Sequence, residues 1–256
     1  MVKRQSARGA QCSMRGAIML ALIALPSVAV AQNGDGFLFQ RPKGSFTMRA
    51  GYEAANPASE SYDVLKGETT LGPRSFDAIN LGADLDFYLT RSVDLTFTLD
   101  VTSRTNTSEY RDWEENGQPI THQSTLERAT LGGGFRYNLL GRGRQISSLA
   151  YIPARTVPYI GATGGIMWYD FRQKGDFVEV IDDSTGNIFT DELKASHYTL
   201  MGQGFAGIER RINARWSLVG EGRYTLAKDR LNNDFAELGT LSLSGLAFNV
   251  GATVRF

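Results

Sequence analysis

One cysteine, seven prolines, two histidines and a formal net charge of zero are what this 256-residue chain brings to most kinds of chemistry. Cys12 precedes the N-terminal apolar segment, where a lipoprotein cysteine would follow it, and a single thiol makes no disulfide framework. Twenty-seven basic residues offset 27 acidic ones, so the electrostatic footprint of a nucleic-acid binder is missing. Past the N-terminal region no apolar run reaches the roughly 20 residues of a membrane-spanning helix, and the mean hydropathy is −0.23. A chain of this kind that crosses a bilayer must do so as a closed barrel of strands, the other structure that satisfies every backbone group in lipid. Metal and cofactor motifs are also missing. The acidic stretch Asp-Asp-Ser-Thr-Gly-Asn at 182–187 lacks the spacing and closing Glu of a calcium loop and reads as a solvated turn.

What is present begins at the N-terminus. Lys3, Arg4, Arg8 and Arg15 precede an apolar core from Ala17 to Leu25, with Pro26 after it. The pattern Ala29-Val30-Ala31 before Gln32 is a small-x-small cleavage site, so residues 1–31 are expected to be a signal peptide for the Sec pathway. Met14 is an alternative start. Removing 1–31 takes away four basic residues and no acidic one, which leaves 23 against 27 and a net charge of −4. Residues 32–44 are expected to form a short periplasmic leader and 45–256 a single β domain.

Eight segments read as strands: Ser45–Glu53, Phe76–Leu89, Val93–Arg104, Thr125–Leu139, Val157–Phe171, His197–Ile212, Trp216–Lys228 and Leu241–Phe256. Each reaches the roughly 9–11 residues of a tilted membrane strand. In the third, Val93, Leu95, Phe97, Leu99 and Val101 alternate with Asp94, Thr96, Thr98, Asp100 and Thr102. The last ends the chain on Phe256, with Arg255 and Asn249 opposite an apolar row. Short turns at 90–92 and 213–215 alternate with long connections, the outer-membrane pattern in which the long loops face outward. One connection on the short side, 140–156, is long and carries Arg142, Arg144 and Arg155. Two hairpins are expected to project outward, around Asn116-Gly117 and around 182–186. The fold class is therefore all-β, a closed eight-stranded antiparallel up-and-down transmembrane barrel.

With the apolar rows facing lipid, the opposite rows face the lumen. They carry Arg49, Glu53, Asp84, Asp86, Asp94, Asp100, Arg128, Arg136, Glu209, Glu221, Arg223 and Arg255, five basic and seven acidic residues expected to pair and plug the bore. Eight strands enclose a space that side chains just fill. Phe46, Tyr52, Phe87, Tyr137, Tyr159, Trp168, Tyr169, Trp216, Tyr224 and Phe256 are candidate interface girdles.

Several segments carry a family resemblance: Gly36–Ser45 leading into Met48–Tyr52, Val157–Gly165, Glu209–Ser217 before Glu221–Tyr224, and the final Gly251–Phe256. They resemble the small outer-membrane β-barrel proteins related to the OmpA transmembrane domain, OmpX and OmpW. The resemblance implies insertion by the barrel assembly machinery, which in that family recognises the last strand and its terminal aromatic, here Phe256. No peptidoglycan-binding domain follows the barrel, so an anchoring role of the OmpA type is not implied.

The function these features favour is a non-enzymatic integral barrel in the Gram-negative outer membrane, a monomer amid lipid and lipopolysaccharide. Its role would be structural or in surface contact, with at most a narrow path for small molecules. Catalytic, metal and cofactor residues are expected to be none. A lipid A-modifying enzyme is the alternative on His197 and Thr199, two apart and so on one face. That reading lacks a serine and an identified carboxylate to orient the histidine. A periplasmic lipocalin-like carrier is the third reading; it would turn the apolar rows inward and bury ions without partners.

Overall fold

The computed structural model describes residues 37–256 except 57, 73, 116–117, 148–149, 183–184, 233 and 236–238. The expected signal peptide, with Ala29, Ala31 and Gln32, lies outside the described residues. Eight strands close into a ring in which sequence neighbours pair antiparallel: β1 (Gly44–Ala55), β2 (Ala78–Tyr88), β3 (Val93–Glu115), β4 (Gln118–Asn138), β7 (Thr156–Asp182), β8 (Thr185–Arg211), β9 (Trp216–Leu226) and β12 (Gly245–Arg255). The ring closes where β1 meets β12, from Ser45 opposite Arg255 to Ala55 opposite Gly245. That seam removes the last free sheet edge from the ring.

The eight strands expected from alternation are all there, but five are longer than the sequence pattern suggested, β1 by three residues and four others by more. β3, β4, β7 and β8 run to 23, 21, 27 and 27 residues and rise past the ring as one tall four-stranded sheet. Both projecting hairpins are thus continuations of barrel strands: Glu109 lies opposite Thr121, and Phe177 opposite Phe189. Short elements complete the chain: α1 (Glu60–Glu68) in the first long loop, and β10 (Lys228–Arg230) paired with β11 (Thr240–Ser242) in the last. On the short-turn side, the 140–156 connection folds into a hairpin of β5 (Gly143–Ser147) and β6 (Ala150–Pro153). Gly143 opens it with φ at +155°, a conformation that glycine enters without steric cost.

Side chains alternate along every ring strand. Ile79, Val250 and Phe248 on the outer wall are 69%, 71% and 65% exposed, and Leu131, Phe135, Ile160, Ile208 and Leu218 join them. The inner rows are buried. At one level the faces exchange character. On β4 the inward row passes from Arg136 and Arg128 to Leu126 and Ile120, and the outward row passes from Phe135 and Leu131 to exposed Gln123 and Thr121. The interior therefore has two storeys, ionised below and mainly apolar above, where Ser124 and His122 are the buried polar residues of the β4 row.

The apolar storey holds Met167, Tyr169, Phe171, Ala195 and Met201 from the tall sheet, Tyr62, Leu65, Leu71 and Phe76 from the α1 loop, and Leu231, Phe235, Leu241 and Leu243 from the β10–β11 loop. These two loops form a lid over the bore. They clasp each other through Glu60, whose Oε2 accepts from the Thr240 amide and hydroxyl at 3.1 Å each.

Candidate functional site

The twelve charged positions read as lumen-facing all point inward, none more than 6% exposed. They stand in three tiers. Nearest the short turns, Arg136 bridges Asp86 (Nη1–Oδ2 3.3 Å) and Glu209 (Nη2–Oε2 2.8 Å), and Arg255 pairs with the other Glu209 oxygen. Asp94 accepts from Asn138 at 2.7 Å and pairs with Arg142. In the middle, Arg49 holds Asp84 (Nε–Oδ2 2.6 Å) and Asp100 (Nη2–Oδ1 3.0 Å). Arg223 reaches Glu221 (3.0 Å), Asp84 (3.3 Å) and Asp100 (3.5 Å). Gly82 leaves the room this requires: a Cβ there would lie 2.9 Å from the Arg49 guanidinium carbon. In the top tier, Arg128 pairs with Glu53 (Nη2–Oε1 2.8 Å) and donates from Nη1 to the Leu243 carbonyl at 3.0 Å, which ties the ions to the lid.

Arg142 is the residue that strand periodicity missed. It enters the bore from the loop ahead of β5, lies 3.8 Å over the Tyr88 ring and donates to the Thr90 carbonyl at 2.5 Å. It makes six arginines against seven carboxylates. No alternation could reveal it, because a loop residue has no face; the unusual length of 140–156 was the available signal.

Two of the candidate girdle aromatics are corrected. Tyr159 and Tyr169 are buried inside, at 2% and 0% exposure. Tyr159 donates to Glu221 at 2.9 Å beneath the Arg136 guanidinium, 3.7 Å from its ring, and Tyr169 donates to Asp229 at 3.1 Å. Neighbours on a strand face opposite ways, so Trp168 outward requires Tyr169 inward. Above Arg128 the interior is filled mainly by apolar side chains, with Ser124, His122 and Gln173 buried beside them.

The lower storey is filled by ion pairs. Its carboxylates are held by arginines rather than left free to move protons. Between the tiers and the lid is a small cavity of about 10 Å³, lined by Glu53, Asn80, Asp100, Arg128 and Thr130 among others. That is room for about one water. Asn80 Oδ1, Arg128 Nε and Thr130 Oγ1 beside it find no hydrogen-bond partner within the protein, whereas Glu53 Oε1 and Asp100 Oδ1 face arginines. Among the described residues no cluster of three potential ligands could hold a metal ion.

His197 does find a carboxylate: its Nδ1 lies 2.7 Å from Asp229 Oδ2, an oxygen shared with Tyr169. The partner sits on β10, 32 residues away, and no spacing rule pointed to it. The nucleophile is what fails. The Thr199 hydroxyl donates to the Lys228 carbonyl at 3.1 Å, so it is committed to fastening β8 to β10. The dyad closes a seam above Gly202, where β8 has run past the end of β9.

Burial in the lid pushes the Tyr62 phenol up to about 12, and burial in the tall sheet holds His122 below its ordinary value. The Thr240 amide and hydroxyl hold the Glu60 carboxyl below the usual carboxylate range.

Compared with known protein families and with curated proteins, the chain finds no match. Among solved structures it is similar to Neisserial surface protein A, at 12% identity over 87% of this chain and 98% of that one (TM-score 0.43). It is also similar to the outer membrane protein OprG of Pseudomonas aeruginosa, at 12% identity over 86% and 99% (TM-score 0.43). A third is Ail, the attachment invasion locus protein of Yersinia pestis, at 8% identity over 84% and 99% (TM-score 0.41). Eight antiparallel strands closed in a ring, with an apolar outer wall, are the fold of this chain.

Proposed function

We propose that this protein is an integral, non-enzymatic component of the Gram-negative outer membrane whose sealed barrel anchors a rigid platform for surface contact. The observation that carries the reading is the outer wall. Large apolar side chains stand exposed on all eight ring strands, far beyond the patches of a few hundred Å² that soluble proteins tolerate. Lipid is the medium that such a wall fits. With ion pairs filling the bore and the lid covering them, the tall sheet is the part available to act. Export through the expected signal peptide and recognition of Phe256 by the barrel assembly machinery belong to the same reading.

The test is fractionation combined with electrophoresis and conductance. The protein should extract with outer membranes only in detergent, run faster on a gel unheated than boiled, and give no steady ion current in a planar bilayer. Recovery in the soluble periplasmic fraction would defeat the membrane assignment, and a stable open channel would defeat the sealed one. Lipid A mass spectra unchanged by the presence of the protein would match the inert Thr199.

A further inference from the structure

The two ends of the barrel differ in charge. Around the short turns Arg41, Lys43, Arg91, Arg144, Arg155 and Arg210 are all exposed. Among the described residues no acidic side chain is exposed at that end, because Asp86, Asp94 and Glu209 are turned into the bore and buried. The opposite end mixes both signs, as where Arg172 meets Glu127 at 3.2 Å and Asp170 at 2.9 Å, with Lys194 also on Asp170 at 3.2 Å. Where Arg41 and Arg210 make hydrogen bonds, they donate to the neutral Thr90 carbonyl (2.7 Å) and Thr156 hydroxyl (2.9 Å), which leave their charges uncompensated.

The depth of this ring is fixed by backbone contacts. The Lys43 amide donates to the Phe256 carbonyl, and its own carbonyl accepts from Tyr88, so it lies level with the end of the last strand. Arg210 is on the outward face of β8, two residues past the lipid-facing Ile208 and opposite Leu218. Phe87, Tyr137, Trp216 and Phe256 stand exposed beside these positions, and exposed aromatics of that kind settle at headgroup depth.

We propose that this basic ring binds the phosphate groups of anionic phospholipids in the leaflet surrounding the short-turn end. The inference rests on the membrane reading above and names the lipid class that this end selects. Five of the six side chains are arginines, whose forked donors match two phosphate oxygens at once. Each such cation near an anionic surface adds to the attraction. A soluble polyanion would approach along the barrel axis, but Arg210 points sideways into the zone that only lipid headgroups occupy.

The experiment reconstitutes the protein in phosphatidylcholine vesicles doped with spin-labelled phosphatidylglycerol or spin-labelled phosphatidylcholine, and compares the immobilised fraction of each label. The expected result is a severalfold preference for phosphatidylglycerol at low salt, falling toward equality near 1 M salt, where exposed charges are screened within about 3 Å. Substituting Lys43→Gln, Arg91→Gln, Arg155→Gln and Arg210→Gln together should remove most of the preference. Arg104→Gln with Lys174→Gln, at the other end, should leave it intact. Equal partition of the two labels in the parent protein overturns the proposal, as does an unchanged preference in the fourfold variant or its loss in the control. Displacement of the lipid label by millimolar inorganic phosphate would overturn the lipid as source. Failure of the protein to enter vesicles at all would instead bring down the membrane reading, and this inference with it.

Discussion

Two halves of the same strands are built on opposite rules. Below the level of Arg128, β4 turns Arg136 and Arg128 inward and Phe135 and Leu131 outward; above it, Leu126 and Ile120 go in and Gln123 and Thr121 go out. β7 follows, with Tyr159 and Thr163 inside below and Met167 and Phe171 inside above. On β8, Glu209 and Gln203 give way to Met201 and Ala195. The backbone pairing runs through the exchange without a break, since Leu126 opposite Phe171 follows Arg128 opposite Tyr169 in the same register. Geometry is therefore indifferent to the change, and the surrounding medium dictates it. With lipid outside, as proposed above, apolar side chains cost nothing there and the polar ones must satisfy each other within. Where water lies outside, the same sheet adopts the rule of a soluble protein and needs a lid to cover its apolar face.

The sharpest way to break this comparison is to remove one ion from the lower storey. Arg223→Met strands Asp84, Asp100 and Glu221 with Arg49 as the one remaining arginine among them. Breaking a buried ion network by losing one partner costs about 3–5 kcal/mol. Urea unfolding of the reconstituted protein, followed by tryptophan fluorescence, should show a loss of that size. A loss below about 1 kcal/mol would mean that water, and not the arginine, compensates the carboxylates. Next in size is a charge on the wall. Leu131→Arg should cost about 2–4 kcal/mol if that position faces the bilayer interior. Thr121→Arg, on the same face of the same strand but above the exchange level, should stay within about 0.5 kcal/mol. Equal costs at the two positions would remove the boundary inferred between them.

The upper storey should fail locally. Leu241, fully buried between α1 and the tall sheet, loses about 2 kcal/mol or somewhat more as alanine, the low end of the range for core leucines, because loops can collapse onto the gap. Protease sensitivity should then rise within 58–72 and 227–244, while the heat-modifiable mobility of the barrel stays as it was. A lowered barrel transition would instead show that lid and ring unfold as one unit.

Much of this was legible in the sequence because a strand has period two. Parity alone put Arg49, Asp84, Asp100, Glu221 and Arg223 on one side of the wall, and closure of the ring then brought four strands' charges to one axis. Parity also places Tyr159 and Tyr169 inward, against the preference of tyrosine for the membrane interface. The tops of the four tall strands were harder to read. Thr105 and Thr107, like Gln123 and Thr121, are polar where the lower wall was apolar, so the hydrophobic alternation that marks a strand fades although the strand continues. The lid left no periodic trace at all. Tyr62 and Leu65 sit on a nine-residue helix that includes Gly67, and Phe235, Leu241 and Leu243 are scattered through a loop; their shared interior exists only after the chain closes. Asp229 beside His197, and Arg142 beside Asp94, are pairings of the same kind, made by topology across 32 and 48 residues.

The smallest expected effect separates the tall sheet from the lid by pH. His122 is 2% exposed between Tyr110 (ring centroids 5.3 Å apart) and Phe177 (6.1 Å); its Nε2 meets the Ser108 hydroxyl at 2.9 Å, and its Nδ1 has no hydrogen bond. Burial favours the neutral ring, so the folded hairpin refuses a proton that an opened one accepts. Above about pH 7 neither form is protonated and the difference vanishes; as pH falls below about 6.5 the opened form gains ground and the hairpin loses stability. Glu60 works in the opposite sense and in another window. Its carboxyl is held down by Thr240, so the lid clasp is at full strength above about pH 4.3 and is lost only as pH falls further. Hydrogen exchange at pH 7.5 and 5.5, corrected for intrinsic rates, should therefore show faster opening of the β3–β4 hairpin amides and no change in α1. His122→Phe keeps a ring in the stack and should abolish the difference. If α1 loosens over the same interval, the two storeys share one titration and the lid is not fastened by Glu60.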